Sequence, residues 1–413
     1  MNLIKTSILS AISTIIRILA GFIINKMIAV YIGPSGVALF GQFRNFMSMV
    51  ITFSNGAINQ GIVKYTAEYK DIESKQKLFS TSLVIGFISS IVLGILIIIF
   101  RNELSKLILH TTEFSDVFII LGIFTVLFSL NNIFLSILNG EKEIKKYISV
   151  NIASSIFVLI LTILLVIKFK LKGAFLSLIL GQSLIIVFTL FLVIKSRWFK
   201  VEYFLQGIDK ESLRRLLKFS SMTITAATMV PLSQIAIRNY IGIKLGWDSA
   251  GYWQGVFFIS EVYLMVITTS LSVYYLPRLS EIQDKKELKK EILNGYRIIM
   301  PIVIFLAFLI FIFKKFIVVT LFSEKFLPML ELFKWQLIGD VIKIASWLLG
   351  YIMVAKALTK LFVLSEILFT ISWVVFTIVF VYIFGLIGSV YAFTFNYILY
   401  LLFLGFYFRR IIL

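Results

Sequence analysis

The chain has 413 residues, 60% of them hydrophobic and only 15% charged, with a mean hydropathy of +0.99 and a net charge of +19. No soluble domain of this length has that composition. Its apolar stretches of about 20 residues are each long enough to cross a bilayer core as a helix, and sheets with open edges are excluded in lipid. There is no cysteine and one histidine, His110, placed in a loop, which excludes disulfides and thiolate–metal sites and leaves almost no material for zinc or Ser-His-Asp chemistry.

The hydropathy pattern predicts an all-α polytopic membrane protein with twelve spans, near 7–31, 36–63, 79–100, 116–139, 147–167, 173–194, 217–241, 248–277, 295–313, 331–355, 361–383 and 386–408. The first run carries Arg17 and Lys26 and lacks a small-residue cleavage site, so it reads as a span and not as a signal peptide. With the N-terminus inside, the cytoplasmic segments hold 24 Lys and Arg against 9 on the other side, so both termini are expected in the cytoplasm. Positive-inside topology accounts for the basic charge, and no nucleic-acid partner is expected.

Seven Lys or Arg residues lie inside or at the edges of the spans: Arg17, Lys26, Arg44, Arg238, Arg297, Lys334 and Lys343. Only three acids do: Glu261, Asp340 and Glu366. Each charge in the apolar zone costs roughly 2.5–3.5 kcal/mol on insertion scales, so such groups persist where they face a wet cavity. A cavity with that imbalance favours an anionic passenger.

In the first span, Ser10, Ser13, Thr14, Arg17, Gly21 and Asn25 share a face. Arg17 lies about 15 Å from the cytoplasmic end, too deep for easy snorkelling, whereas Lys26 near the outer end has snorkelling as an alternative to lining a cavity. In the second span Gly41, Asn45, Ser48, Thr52, Asn55 and Asn59 follow helical spacing, flanked by Arg44. Helix–helix glue explains the hydroxyls as well as a cavity does, and explains Arg44 poorly. The segment Arg101–Asp116 is amphipathic and is expected on the outer interface.

The basic stretch Lys195–Lys218 is the longest connection and divides the chain into lobes of six spans each, residues 1–205 and 206–413. The seventh span places Pro231, Gln234 and Arg238 on one face, where the proline reads either as a gate or as a static kink. In the eighth, Gln254, Glu261 and Thr268 align; Glu261 reads as an ion-pair partner or a proton carrier. In the tenth, Gln336, Asp340, Lys343 and Trp347 share a face, and Asp340 is expected to neutralise Lys343 within the helix. Trp253, Trp335 and Trp347 can stack on sugar rings or serve as belt residues, the belt being preferred for Trp335. Glu366 stands in an otherwise apolar span with its role open. Arg297 and Lys334, close to span ends, are expected to snorkel.

The halves share a local repeat. Tyr31-Ile32-Gly33, Gly36 and Gly41-Gln42 correspond to Tyr240-Ile241-Gly242, Gly251 and Gln254-Gly255, each at the turn between the first two spans of its half. Both halves start inside, so the repeat is parallel, about an axis along the membrane normal; chance recurrence in an Ile-rich chain is the competing explanation. No phosphate-cradling loop, no acidic pair in an outer loop and no selectivity-filter loop is present, which argues against an ATP-driven pump, a loop-based glycosyltransferase or polymerase, and a channel.

The run Trp247-Asp248, Gly251-Tyr252-Trp253-Gln254-Gly255-Val256, Ile259-Ser260, Tyr263-Leu264, Ser272-Val273-Tyr274, Leu276-Pro277 and Leu279-Ser280 resembles the lipid-linked oligosaccharide flippases of the Wzx type, among them those for enterobacterial common antigen and O-antigen. So do Leu321-Phe322, Lys325-Phe326, Trp335-Gln336-Leu337, Gly339-Asp340-Val341 with Lys343, Gly350-Tyr351 and Ala355-Lys356-Ala357, and the start, Lys26, Gly33-Pro34, Gly36, Phe43-Arg44 and Val63-Lys64-Tyr65. Residues 80–215 match in span pattern only.

The resemblance implies the fold of the multidrug/oligosaccharidyl-lipid/polysaccharide exporter superfamily: two six-helix lobes in a V, related by a pseudo-two-fold along the membrane normal. It implies translocation of an undecaprenyl-pyrophosphate-linked oligosaccharide across the bacterial inner membrane by alternating access, without covalent chemistry and without a cofactor. Arg17, Lys26, Arg44, Arg238 and Lys343, with Gln254 and Gln336, are the expected substrate-binding residues. Glu261, Asp340 and Glu366 are the expected coupling or ion-pair residues, and Pro231 the gate or kink. Membrane lipid is a partner, and the implied pathway leaves room for a polysaccharide polymerase and chain-length machinery. The alternatives are an ion-coupled multidrug exporter, which should prefer acids in its cleft, and a polymerase or ligase acting on the same lipid.

Overall fold

The computed structural model describes residues 3–409 and is helical along most of its length. Helix α1 (Leu3–Tyr31) ends at Gly33, whose φ of 99° only glycine adopts readily, and Pro34 starts α2 (Pro34–Ser54). The second span does not run unbroken to residue 63. The amides of Gly56 and Ala57 turn back onto the carbonyls of Phe53 and Thr52, both residues take positive φ, and the chain resumes as α3 (Asn59–Glu68). The expected polar stripe therefore ends at Thr52, and Asn55 and Asn59 fall outside α2.

Next come α4 (Ile72–Ile99), α5 (Arg101–Leu109) and α6 (Ser115–Gly140). Asp71 caps α4 by accepting from the Ser74 amide at 2.7 Å. Small residues let α4 and α6 approach closely: a Cβ on Gly94 would lie 2.5 Å from the Gly122 carbonyl oxygen, and Thr125 Oγ1 donates to the Ser90 carbonyl at 3.0 Å. Helix α7 (Ile144–Leu184) is two passes. Lys170, at φ 51° and ψ −127°, reverses the chain, so that Thr162 and Ser177 are hydrogen-bonded at 2.9 Å and Gly181 faces Val158. Helix α8 (Ile186–Ile194) completes the second of these passes.

Helix α9 (Lys210–Leu245) runs through Pro231 without ending, and α10 (Trp247–Ser270) follows after Gly246 at φ 90°. The glycine that makes this turn is thus Gly246, not the Gly242 of the internal repeat; Gly242 is helical and lies against the Trp247 ring. A π-helical turn (Leu271–Tyr275) leads into α11 (Leu276–Glu281), then α12 (Lys285–Leu321), a 3-10 segment (Glu324–Glu331), α13 (Phe333–Ala355), α14 (Thr359–Phe384) and α15 (Ile387–Tyr407).

Among the described residues nine helices are long and apolar enough to cross a membrane, the 51-residue stretch Ile144–Ile194 counting as one. Its reversal at Lys170 makes it two. The broken α2–α3 pair and the more polar α9 supply the two further passes of the expected twelve. Side chains such as Phe305, Phe308 and Phe316 on α12 stand exposed in the row that lipid would cover.

The chain divides into two compact units. The first holds the residues through Ile32 together with Leu39–Pro231, and the second Gly33–Ala38 together with Leu232–Leu413. The division falls inside α9 at Pro231 rather than in the basic connector. The reason is packing: Leu216 lies against Gly61, and Arg215 donates to the Tyr69 hydroxyl at 3.0 Å, so the start of α9 belongs with the first unit. In the second unit the Gly33–Pro34 turn lies on Gly251, where a Cβ would come within 2.0 Å of the Pro34 carbonyl oxygen, and the Ser35 amide donates to Asp248 Oδ1 at 3.0 Å.

Candidate functional site

The polar side chains of the spans sort between the two units. Arg17, Lys26 and Arg44 stand in the first; Arg238 and Lys343 stand in the second. Arg17 is exposed on α1, and Lys26 and Arg44 are half-buried. Three of the hydroxyls and amides on these faces bond along their own helices. Thr14 donates to the Ser10 carbonyl, Asn25 to that of Gly21 and Thr52 to that of Ser48, at 2.9, 2.9 and 3.0 Å. Bonds of this kind glue no helices together.

The second unit carries a denser polar centre on the α9–α10 hairpin. The turn at Gly246 folds α10 back along α9, so side chains on their facing sides meet. Arg238 is fully buried; its Nε donates to Gln254 Oε1 at 2.9 Å, and its guanidinium carbon lies 5.5 Å from the Trp253 ring centroid. One step further from the turn, Gln234 Nε2 donates to Glu261 Oε1 at 3.2 Å. The two faces read separately from the sequence are thereby one contact surface. Pro231 lies just beyond, half-buried within α9.

Asp340 on α13 is fully buried and accepts from the Tyr263 hydroxyl at 3.0 Å and from Gln336 Nε2 at 3.1 Å, with Ser260 also buried on the facing side of α10. The expected Asp340–Lys343 ion pair is not formed. The Lys343 ammonium instead lies 4.9 Å from the Trp347 ring centroid, 5.8 Å from that of Tyr397 and 6.0 Å from that of Phe393. Neutral donors from α10 and from the preceding turn of α13 hold the carboxylate, and the ammonium is turned toward the aromatic faces. Lys343 still lies within the electrostatic reach of Asp340, Glu261 and Glu366, so one cation is shared among three acids. Glu366 is half-buried on α14.

Trp253 is not placed to stack on a sugar: it is 1% exposed, with Phe257 stacked on it at 4.9 Å and Trp373 beyond. Trp335 packs edge-on against Tyr391. Reading the sequence missed Tyr263, Ser260, Phe393 and Tyr397 as members of the polar centre. Ser260 and Tyr263 share a helical face three residues apart and stand in the run that carries the family resemblance, which are the signals that point to them; Phe393 and Tyr397 have none, since an aromatic in an apolar span reads as packing. Among the described residues no group of three or more His, Cys, Asp or Glu is arranged to hold a metal ion.

Apolar passes in two units, with cations and acids kept inside the spans, define a multi-pass α-helical membrane protein of transporter build. The chain belongs to the polysaccharide biosynthesis protein family, whose model matches residues 9–331. It is 28% identical over 407 residues to the Lipid III flippase of Escherichia coli (strain K12), covering 97% of this chain and 96% of that protein. Among solved structures it is similar to the inward-facing conformation of a multidrug resistance MATE family transporter of the MOP superfamily, with a TM-score of 0.80, 16% identity, and 96% and 95% of the two chains covered. It is also similar to the lipid II flippase MurJ in its inward closed conformation, with a TM-score of 0.75, 17% identity and 98% and 87% covered. The fold is therefore that of the MOP superfamily, as the sequence motifs imply.

Proposed function

We propose that this protein is a flippase that moves an undecaprenyl-pyrophosphate-linked oligosaccharide, an enterobacterial common antigen or O-antigen unit, from the cytoplasmic to the periplasmic leaflet of the inner membrane. The observation that carries this reading is its similarity to the Lipid III flippase along essentially the full length of both chains. Both termini are cytoplasmic in this reading, as the Lys and Arg bias of the loops supports. Alternating access moves the cargo, and no bond of the cargo is made or broken. Polymerase and chain-length proteins then take over the product.

Arg17, Lys26 and Arg44 are the side chains for charge-assisted hydrogen bonds that replace the hydration of the diphosphate, while the buried Arg238 and the ring-flanked Lys343 add positive field within their own unit. Gln254 and Gln336 orient Arg238 and Asp340, to which they are bonded. Glu261, Asp340 and Glu366 balance Lys343 and are the groups through which an ion gradient would act. The similarity to a multidrug transporter favours the rival reading, export of organic cations. The excess of basic over acidic side chains in the spans weighs against it.

The test is reconstitution into liposomes with lipid-linked oligosaccharide, scoring the fraction protected from an external glycan-modifying enzyme, with and without an imposed gradient. Protein-dependent equilibration that is lost in Arg44→Gln, with the fold intact, supports the reading. Full activity of both Arg44→Gln and Arg238→Gln in a flippase-null strain would overturn the role of the cations. Uptake of organic cations without movement of the lipid would replace the function itself.

A further inference from the structure

The connector after α8 is pinned down on one side and bare on the other. Phe204 is buried, stacked with Phe79 at 5.7 Å and edge-on to Phe134 at 5.8 Å. Ser80 Oγ donates to the Gly207 carbonyl at 2.9 Å, and the Asp209 amide donates to Thr81 Oγ1 at 2.9 Å. A connector needed only to join two passes has no use for so many fixings.

The other side carries Val201, Leu205 and Ile208. Leu205 is 75% exposed, more than any other large apolar side chain among the described residues. Flanking them in the chain stand the exposed Lys195, Arg197, Lys200 and Lys210. Of the nearby acids, Asp209 is occupied in capping α9 through the Ser212 amide at 2.8 Å and Glu211 pairs with Arg215, leaving Glu202 to face the cations.

The apolar row does not begin at the connector. Val187, Phe191 and Ile194 form an exposed row on α8, at helical spacing, that runs into it. At the junction the Lys195 ammonium lies 3.6 Å from the Phe191 ring centroid, folded back along the apolar surface as a side chain at a lipid boundary does. Continuity with a lipid-facing row, ending in a basic rim, is the arrangement of an interfacial anchor.

We propose that residues 195–210 form a lipid-binding anchor that recognises anionic phospholipid headgroups of the phosphatidylglycerol kind. Val201, Leu205 and Ile208 enter the acyl boundary, and Lys195, Arg197, Lys200 and Lys210 take the phosphates. The pinned inner face makes the anchor rigid, so headgroup binding holds the junction between α8 and α9 at a fixed depth. The inference rests on the membrane-spanning helices and not on the identity of the cargo.

Because the chain has no cysteine, Leu205→Cys gives a single site for a spin label, with Ile208→Cys as a second position should the first disturb folding. The full-length protein is placed in nanodiscs of phosphatidylcholine with or without phosphatidylglycerol, and label contact with oxygen and with a water-soluble nickel chelate is measured. The expected result is a label shielded from the chelate, more deeply so with phosphatidylglycerol. The variant Lys195→Gln, Lys200→Gln, Lys210→Gln should lower phosphatidylglycerol enrichment around the purified protein by at least roughly fivefold, the worth of one interfacial cation or more. A label open to the chelate in both lipids overturns the proposal, and so does enrichment unchanged in the triple variant.

Discussion

Arg238 Nε donates to Gln254 Oε1 at 2.9 Å, joining two residues that stand the same distance along the chain on either side of Gly246. A fully buried guanidinium is costly unless its donors are met, and a glutamine oxygen with a tryptophan face beside it meets part of that need without adding a second charge.

A double-mutant cycle follows directly. Arg238→Met strands the glutamine oxygen, and Gln254→Leu removes an acceptor from a buried charge; each is expected to destabilise the purified protein by about 2–4 kcal/mol. The double variant should lose less than the sum of the two, by roughly 1–3 kcal/mol. Denaturant or thermal unfolding in detergent reads all four corners of the cycle. Additive losses would mean that the bond contributes no coupling.

The polar centre around Asp340 separates two contributions that one ion pair would merge. Tyr263→Phe removes a single donor from the carboxylate and should cost about 1–3 kcal/mol, that of an unmet buried acceptor. Trp347→Leu removes the nearest aromatic face from Lys343 and should cost roughly 0.5–2 kcal/mol through lost cation–π attraction. Melting curves of the two variants read the two contributions, and unchanged curves would show that neither the Tyr263 hydroxyl nor the Trp347 ring holds this centre.

How much of this was legible beforehand depends on the range of the interaction. Helical spacing correctly grouped Gln234 with Arg238 and Gln254 with Glu261, because a helix face is a local property. That the two faces meet depends on the turn at Gly246, and spacing alone names no partner. The second span shows the opposite failure: its polar spacing continues through Asn55 and Asn59, while the backbone breaks after Ser54. Periodicity reports side chains and is blind to a change of φ at Gly56 and Ala57. Asp340 and Lys343 satisfied a local pairing rule that tertiary donors overrode. The family motifs, by contrast, carried the fold, since they sit at turns and contacts such as Gly33–Pro34 against Gly251 that only one chain path provides.

Small residues set the distance between α4 and α6, and the consequence is measurable. A side chain at position 94 has no room, because its Cβ would lie 2.5 Å from the Gly122 carbonyl oxygen and 2.6 Å from Thr125 Oγ1. Gly94→Leu should therefore destabilise the first unit by about 1–3 kcal/mol or more, with loss of folded yield. Gly405, with open space around its Cβ, is the control: Gly405→Ala should leave yield and melting temperature near those of the parent. Fluorescence size-exclusion after a heat ramp compares the two.

Acid sensitivity should report on the cap of α9. The Ser212 amide and then its hydroxyl hold the Asp209 carboxyl below its ordinary value of 3.8, with Lys77 assisting. The charged form is thus favoured by folding. Its contribution is fully present above the ordinary value and is lost as pH falls through the lower folded value, so the cap weakens below about pH 4 and is unaffected between pH 5 and 8. Asp209→Asn keeps an N-cap acceptor but cannot titrate. Melting temperatures of parent and variant should run parallel from pH 5 to 8, with the parent falling more steeply below pH 4. Parallel curves across the whole range would show that the Asp209 cap contributes nothing to the acid limb.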